Sequence, residues 1–200
     1  MKKTIIICIL ITMVGTVTGC GNNEPIALQE RDNSQAKEMS LSEGEGYIVG
    51  VAIPAGRYEI TGDGIGTFTI IDTSFGLAVF DETFDDMEGI ESITTDLEEG
   101  NEIRITGLSK VNFIPIETYI RSELTTGTWI VGLDIEKGDY VFQPAEGKGD
   151  FLLYREGRLI VNERMDANSE DGVKEIIFNP ELGDEIHIKG LKRVGFTYNS

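Results

Sequence analysis

Tyr47-Ile48-Val49-Gly50-Val51-Ala52-Ile53-Pro54-Ala55-Gly56-Arg57-Tyr58 is written a second time, in altered form, as Trp129-Ile130-Val131-Gly132-Leu133-Asp134-Ile135-Glu136-Lys137-Gly138-Asp139-Tyr140. The offset is 82 residues, and it holds or changes by one through the rest of the chain. Gly66 and Phe68 return as Gly149 and Phe151, and Leu77 and Val79 as Leu159 and Val161. Gly100, Glu102, Ile103, Ile105, Gly107, Leu108, Val111 and Phe113 return 83 residues on as Gly183, Glu185, Ile186, Ile188, Gly190, Leu191, Val194 and Phe196. Two long copies, 47–116 and 129–198, indicate a duplicated domain and not a short-period solenoid.

Within each copy the pattern is that of strands. Glu102-Ile103-Arg104-Ile105-Thr106 and Glu185-Ile186-His187-Ile188-Lys189 alternate polar and apolar, which puts one face on a core and one in water. Tyr47-Ile48-Val49 and Trp129-Ile130-Val131 are apolar at every position, as a strand covered on both faces would be. Short turns ending in glycine punctuate the strands: Pro54-Ala55-Gly56, Glu98-Glu99-Gly100, Glu136-Lys137-Gly138 and Glu181-Leu182-Gly183. They suit a turn closed by a residue at positive φ. Tyr58 and Tyr140 alternate with Ile60 and Phe142 and therefore face inward.

The expected fold class is all-β: two tandem homologous β-sandwich or barrel-like units of about seven strands each. A unit of about 70 residues without disulfides is small for an independent core, so the two are expected to pack on one another. The boundaries read as a signal peptide over 1–19, a tether over 20–46, a first repeat over 47–117, a junction over 118–128 and a second repeat over 129–200.

The chain opens with Met1-Lys2-Lys3 and an apolar run from Ile5 to Val17, then Val17-Thr18-Gly19-Cys20. A positive start and a short apolar run mark a signal peptide. The last four residues resemble the lipobox of bacterial lipoproteins. That resemblance implies cleavage between Gly19 and Cys20, with lipid (a diacylglycerol, and palmitate-type acyl chains) on Cys20. The implied location is the extracytoplasmic face of the cell membrane, with the lipid on Cys20 as the membrane attachment. Cys8 would leave with the signal peptide, so Cys20 would be the one cysteine of the mature chain. Residues 21–46 are polar and read as a flexible tether.

The units also resemble a family. Tyr47-x-Val49-Gly50-x-x-Ile53-Pro54-Ala55-Gly56-x-Tyr58 is similar to the Y-x-V-G-x-D-I-P-A-G-x-Y repeats of secreted and lipid-anchored proteins of Gram-positive bacteria. Leu97-Glu98-Glu99-Gly100-Asn101-Glu102-Ile103 fits the family's L-x-x-G-[DN]-x-[IL] strand entry. Ala52 departs from the family aspartate, whereas Asp134 keeps it. The resemblance implies fold and location far more than function.

Composition narrows the functions. Loss of residues 1–19 removes Lys2 and Lys3 and no acidic residue, taking the formal net charge from −18 to −20. Such a surface repels nucleic acid, so none is expected as a partner. His187 is the one histidine and reads as an incidental residue on an outward strand face. Neither a P-loop nor a G-x-S-x-G elbow occurs. Trp129 stands where the first copy has Tyr47 and reads as core.

Carboxylates are the one abundant reactive type. Asp81, Glu82, Asp85, Asp86 and Glu88 cluster in the first copy, and Glu163, Asp166, Glu170 and Asp171 in the second. Their spacing matches no EF-hand loop. No metal and no cofactor are expected, and Asp81, Asp85 and Asp86 are the weak candidates a hard cation would use. The function expected is a non-catalytic binding or adhesion module for an envelope or extracellular protein or glycan. An accessory lipoprotein of a membrane assembly is the alternative, and a carboxylate-dependent hydrolase the least favoured reading.

Overall fold

The computed structural model describes Leu28, residues 30–85, Met87, residues 89–169 and residues 172–199. It is an all-β sandwich, with no helix among the described residues. The strands are β1 (Met39–Leu41), β2 (Gly44–Ile48), β3 (Gly56–Asp63), β4 (Gly66–Asp72), β5 (Leu77–Phe84), β6 (Ile93–Leu97) and β7 (Glu102–Thr106). They continue as β8 (Lys110–Pro115), β9 (Glu123–Leu124), β10 (Gly127–Ile130), β11 (Tyr140–Arg155), β12 (Arg158–Asp166), β13 (Ile176–Phe178) and β14 (Glu185–Tyr198).

In the first half, β1-β8-β3-β6 form one layer and β2-β7-β4-β5 the other. Inward residues of both layers meet in a single cluster that includes Tyr58, Ile60, Phe68, Ile70, Ile103 and Phe113. In the second half the chain follows the same path without breaking its strands. β11 spans what β3 and β4 span in the first half, and β14 spans β7 and β8. The β11–β14 register shifts between Pro144 and Asp150, where the pair bends through bulges. The first half of β11 pairs with β13, and its second half pairs with β12. The second cluster includes Trp129, Tyr140, Phe142, Phe151, Ile186 and Val194. Tyr58 meets Phe113 edge-on at 88° and 6.1 Å, and Tyr140 meets Phe196 edge-on at 88° and 5.3 Å.

β6 joins the halves by pairing in parallel with β10, Gly127 opposite Thr94. Because these strands run the same way, the ends at which they finish lie together. That common end carries the turns 49–55 and 98–101, the hairpin tip 73–76 and their counterparts 131–139, 179–184 and 156–157. Within each half these turns are tied to one another: Thr73 Oγ1 donates to Gly100 O at 2.7 Å, Gly100 N to Val49 O and Gly183 N to Val131 O, both at 3.0 Å.

Three expectations change. The tether does not extend to residue 46, because β1 pairs with β8 and β2 with β7. Asn33 also clips this segment down, accepting from Arg57 N at 2.7 Å and donating to Ile116 O at 3.0 Å. The junction 118–128 is likewise built into the sheet, as β9 and the start of β10. Leu41 opposite Val111 corresponds to Leu124 opposite Val194, so the repeated unit begins before residue 47. Finally, β2 is an edge strand, paired with β7 alone, whereas β10 lies between β6 and β14. The same repeat position therefore holds a half-covered Tyr47 in one half and a buried Trp129 in the other.

The glycine turns also divide. Gly100 and Gly183 sit at φ +87° and +86°, where a side chain is strained. Gly138 is not at positive φ, and a Cβ there would meet the ring of the exposed Tyr198 at 2.9 Å, a side chain that can turn away, so this turn does not require glycine.

Candidate functional site

The turn 98–101 explains the Asn or Asp of the strand-entry pattern. Asn101 Oδ1 accepts from Glu98 N at 3.1 Å, and Asp184 Oδ2 accepts from Glu181 N at 2.8 Å. The side chain closes the turn that its own backbone N–H also bonds. Asp134 does similar work for its loop, accepting from Ile130 N at 2.8 Å.

Asp134 has a second task, which Ala52 does not share. It lies at the join between the halves, 1 % exposed, and accepts from Arg31 Nη1 and Nη2 at 2.9 and 2.7 Å. Arg31 Nε also reaches Asp96 at 3.0 Å, and Arg57 Nη1 reaches the same carboxylate at 2.8 Å. Arg57 Nη2 donates to Thr128 O at 2.9 Å and stands 3.5 Å from Asp134. Two arginines and two aspartates thus link the amino-terminal segment, the first half and the second. The repeat equivalents of Arg57 and Asp96 in the second half are Asp139 and Asn179, so this network exists at the join alone.

Burial opposes the charge on both arginines. In Arg31 the hydrogen bonds to Asp134 and the attraction of both aspartates outweigh it, and the pKa rises. In Arg57, only 1 % exposed, desolvation wins over Asp96 and Asp134 and the pKa falls. Trp129 closes the network on one side. Its Nε1 donates to Thr125 O at 2.9 Å, and the guanidinium carbons of Arg57 and Arg121 lie 5.1 and 4.9 Å from its ring centroid.

Beside this network is a cleft of about 260 Å³ shared by the two halves. Thr95, Asp96 and Glu98 from the first half and Thr128, Trp129, Glu185 and His187 from the second are among the residues that line it. His187 is not a free residue on an outward face: it is 19 % exposed, packs beside Tyr154 at 4.9 Å and places Nε2 3.4 Å from Glu185 Oε2. The hydrogen bond to His187 holds the Glu185 carboxyl below its usual range. Alternation along β14 was sufficient to predict an outward residue. It could not show that the neighbouring half stands in front of that face.

A second inter-half contact lies at Glu82, a buried residue of β5. Burial pushes its pKa up to about 7, against the attraction of Lys189 and a hydrogen bond from Gly190 N–H; Asp81 and Asp150 push the same way as burial. The Nζ of Lys189 lies 5.6 Å from the Phe80 ring centroid. No sequence signal marks Glu82 apart from its acidic neighbours.

The acidic loops are structural where they are described. Asp81 accepts from Thr69 Oγ1 at 2.9 Å, and Asp85 from Met87 N at 2.8 Å. Asp166 accepts from Asn168 N and Ser169 N, the first of which, with other contacts, holds its pKa low. Among the described residues no three His, Cys, Asp or Glu converge as metal ligands would. Asp86, Glu88, Glu170 and Asp171 lie outside the described residues, as do Gly19 and Cys20. Tyr58 and Tyr140 are both buried, and burial pushes both hydroxyls up.

No protein-family model, no curated protein and no solved structure matches this chain.

Proposed function

We propose that this protein is a non-catalytic binding module, held at the extracytoplasmic face of a cell membrane by lipid on Cys20. It would take its envelope or extracellular ligand in the cleft between its two halves. The observation that carries this reading is the cleft's construction. Asp96 of the Arg31–Asp96–Arg57–Asp134 network lines the cleft, and Arg57 donates to Thr128 O and packs on Trp129, two further lining residues, so the concave surface is preformed and little ordering is needed on binding. Tryptophan, threonine and carboxylate groups at its lining suit a ligand rich in hydroxyl or cationic groups. Of the carboxylates lining it, Asp96 is engaged by Arg31 and Arg57, Glu185 by His187 and Asp72 by Ser74 N–H, which favours binding over acid–base work.

The test is capture from envelope extract by the chain from residue 21 onward, compared with a Glu98→Lys/Glu185→Lys variant. Recovery of one component by the wild type and its loss in the variant is the expected result. Equal recovery by both would remove the cleft from the function.

A further inference from the structure

The common end of the two halves is also where exposed apolar side chains collect. Val51 in the turn 49–55 is 87 % exposed, and Phe75 at the first hairpin tip is 78 % exposed. Leu77 and its repeat equivalent Leu159 are exposed beside the two tips, and Leu182 and Tyr119 are exposed on neighbouring turns. At the opposite end the exposed large apolar residues, among those described, are Ile65 and Met87. The tip that carries Phe75 is closed by two hydrogen bonds: Gly76 N donates to Asp72 O at 2.7 Å, and Ser74 N to Asp72 Oδ1 at 2.8 Å.

The described part of the amino-terminal segment is held at this same end. Arg31 is clamped between Asp96 and Asp134, and Leu28 is seated over Gly132 and Gly183. Cys20 is eight residues before Leu28. Even fully extended, eight residues reach roughly 29 Å. An acyl anchor on Cys20 therefore holds this end, and not the other, beside the bilayer.

We infer that the end carrying Val51, Phe75, Leu77 and Leu159 is a docking surface for the lipid bilayer itself, laid onto the headgroup–acyl boundary by the anchor. This rests on the reading of Cys20 as the lipid site. Its chemistry is that of short apolar tips set among charged groups, here Glu98, Glu99, Glu156, Lys137, Arg155 and Arg158. The formal net charge of −18 on the chain favours zwitterionic over anionic headgroups.

The lipidated full-length mature protein, in phosphatidylcholine vesicles, provides the test. Beyond Cys20 the mature chain has no cysteine, so Phe75→Cys, Leu159→Cys and Ile65→Cys can each carry one nitroxide label. Labels at 75 and 159 are expected to be several-fold less accessible to a water-soluble relaxation agent than the label at 65. They should become accessible again when Cys20→Ser removes the anchor. Equal accessibility at all three sites in the lipidated protein would overturn the docking surface and leave the anchor standing. Protection that arises only when envelope protein is added would assign the surface to a protein and also overturn it. A wild-type chain whose Cys20 reacts with the label is not lipidated, and both readings then fall.

Discussion

Arg31 and Asp134, 103 residues apart in the chain, face each other as a two-pronged pair, with Nη1–Oδ1 at 2.9 Å and Nη2–Oδ2 at 2.7 Å. The pair pins the amino-terminal segment to the second half across the first. Replacing Arg31 by Met leaves a buried carboxylate with only Ile130 N and a 3.5 Å approach from Arg57. Removing one partner of a buried pair costs about 3–5 kcal/mol, and the remaining partners put this case near the lower figure. Urea unfolding should show that loss, and limited proteolysis should cut between residues 31 and 38. Adding Asp134→Ala, the residue the first half carries at position 52, should cost less than the sum of the two single changes.

Gly127 and Gly44 occupy the same repeat position, opposite Ile188 and Ile105, yet they should respond differently to alanine. A Cβ on Gly127 would run into the Thr94 carbonyl, because β6 lies alongside, and its φ is +153°. A Cβ on Gly44 meets only the Tyr47 ring, which can turn away. Gly127→Ala should cost about 3 kcal/mol or more. Gly44→Ala should stay within about 1 kcal/mol in the same denaturation assay.

Glu82 gives the molecule a calculable pH dependence. The unfolded chain releases this proton near pH 4.5 and the folded one near 7. The folded state therefore binds the proton more tightly, and protonation favours folding. The penalty of the charged form is absent below about pH 4.5, grows between 4.5 and 7, and is complete above 7, at roughly 3 kcal/mol. Glu82→Gln should be more stable than wild type at about pH 8, and the difference should shrink toward nil at about pH 5. A difference independent of pH would show that Glu82 does not titrate in that window.

Calcium should do nothing to stability. Asp81, Asp85 and Asp166 close turns and cross-strand contacts, and no three described carboxylates converge. Thermal unfolding with and without millimolar calcium should superimpose. An upward shift would place ligands among the residues not described.

Much of the architecture was legible because it is periodic. Ile103 and Ile105, repeated as Ile186 and Ile188, alternate in sequence as they do in the sheet, and all four are buried. The start of the repeat was harder to see. Only Leu41 with Leu124 and Gly44 with Gly127 survive there, and the spacing to the next match changes by one residue where β2 shifts register. The cleft had no legible signal, since Thr95, Thr128 and His187 meet only when the halves are set side by side.

The sequence by itself determined the class of fold, the duplication pattern and the facing of most core side chains. Burial on one face of a pleated strand imposes a period of two, and that period survives in the residue order. Only the tertiary structure decided that the segment before residue 47 belongs to the fold. It also decided that His187 and Trp129 border a shared cleft, and that Asp134 is an ion-pair partner where Ala52 is none. Those facts depend on which surface lies against which, and an ion pair between residues 103 positions apart leaves no periodic trace in the chain.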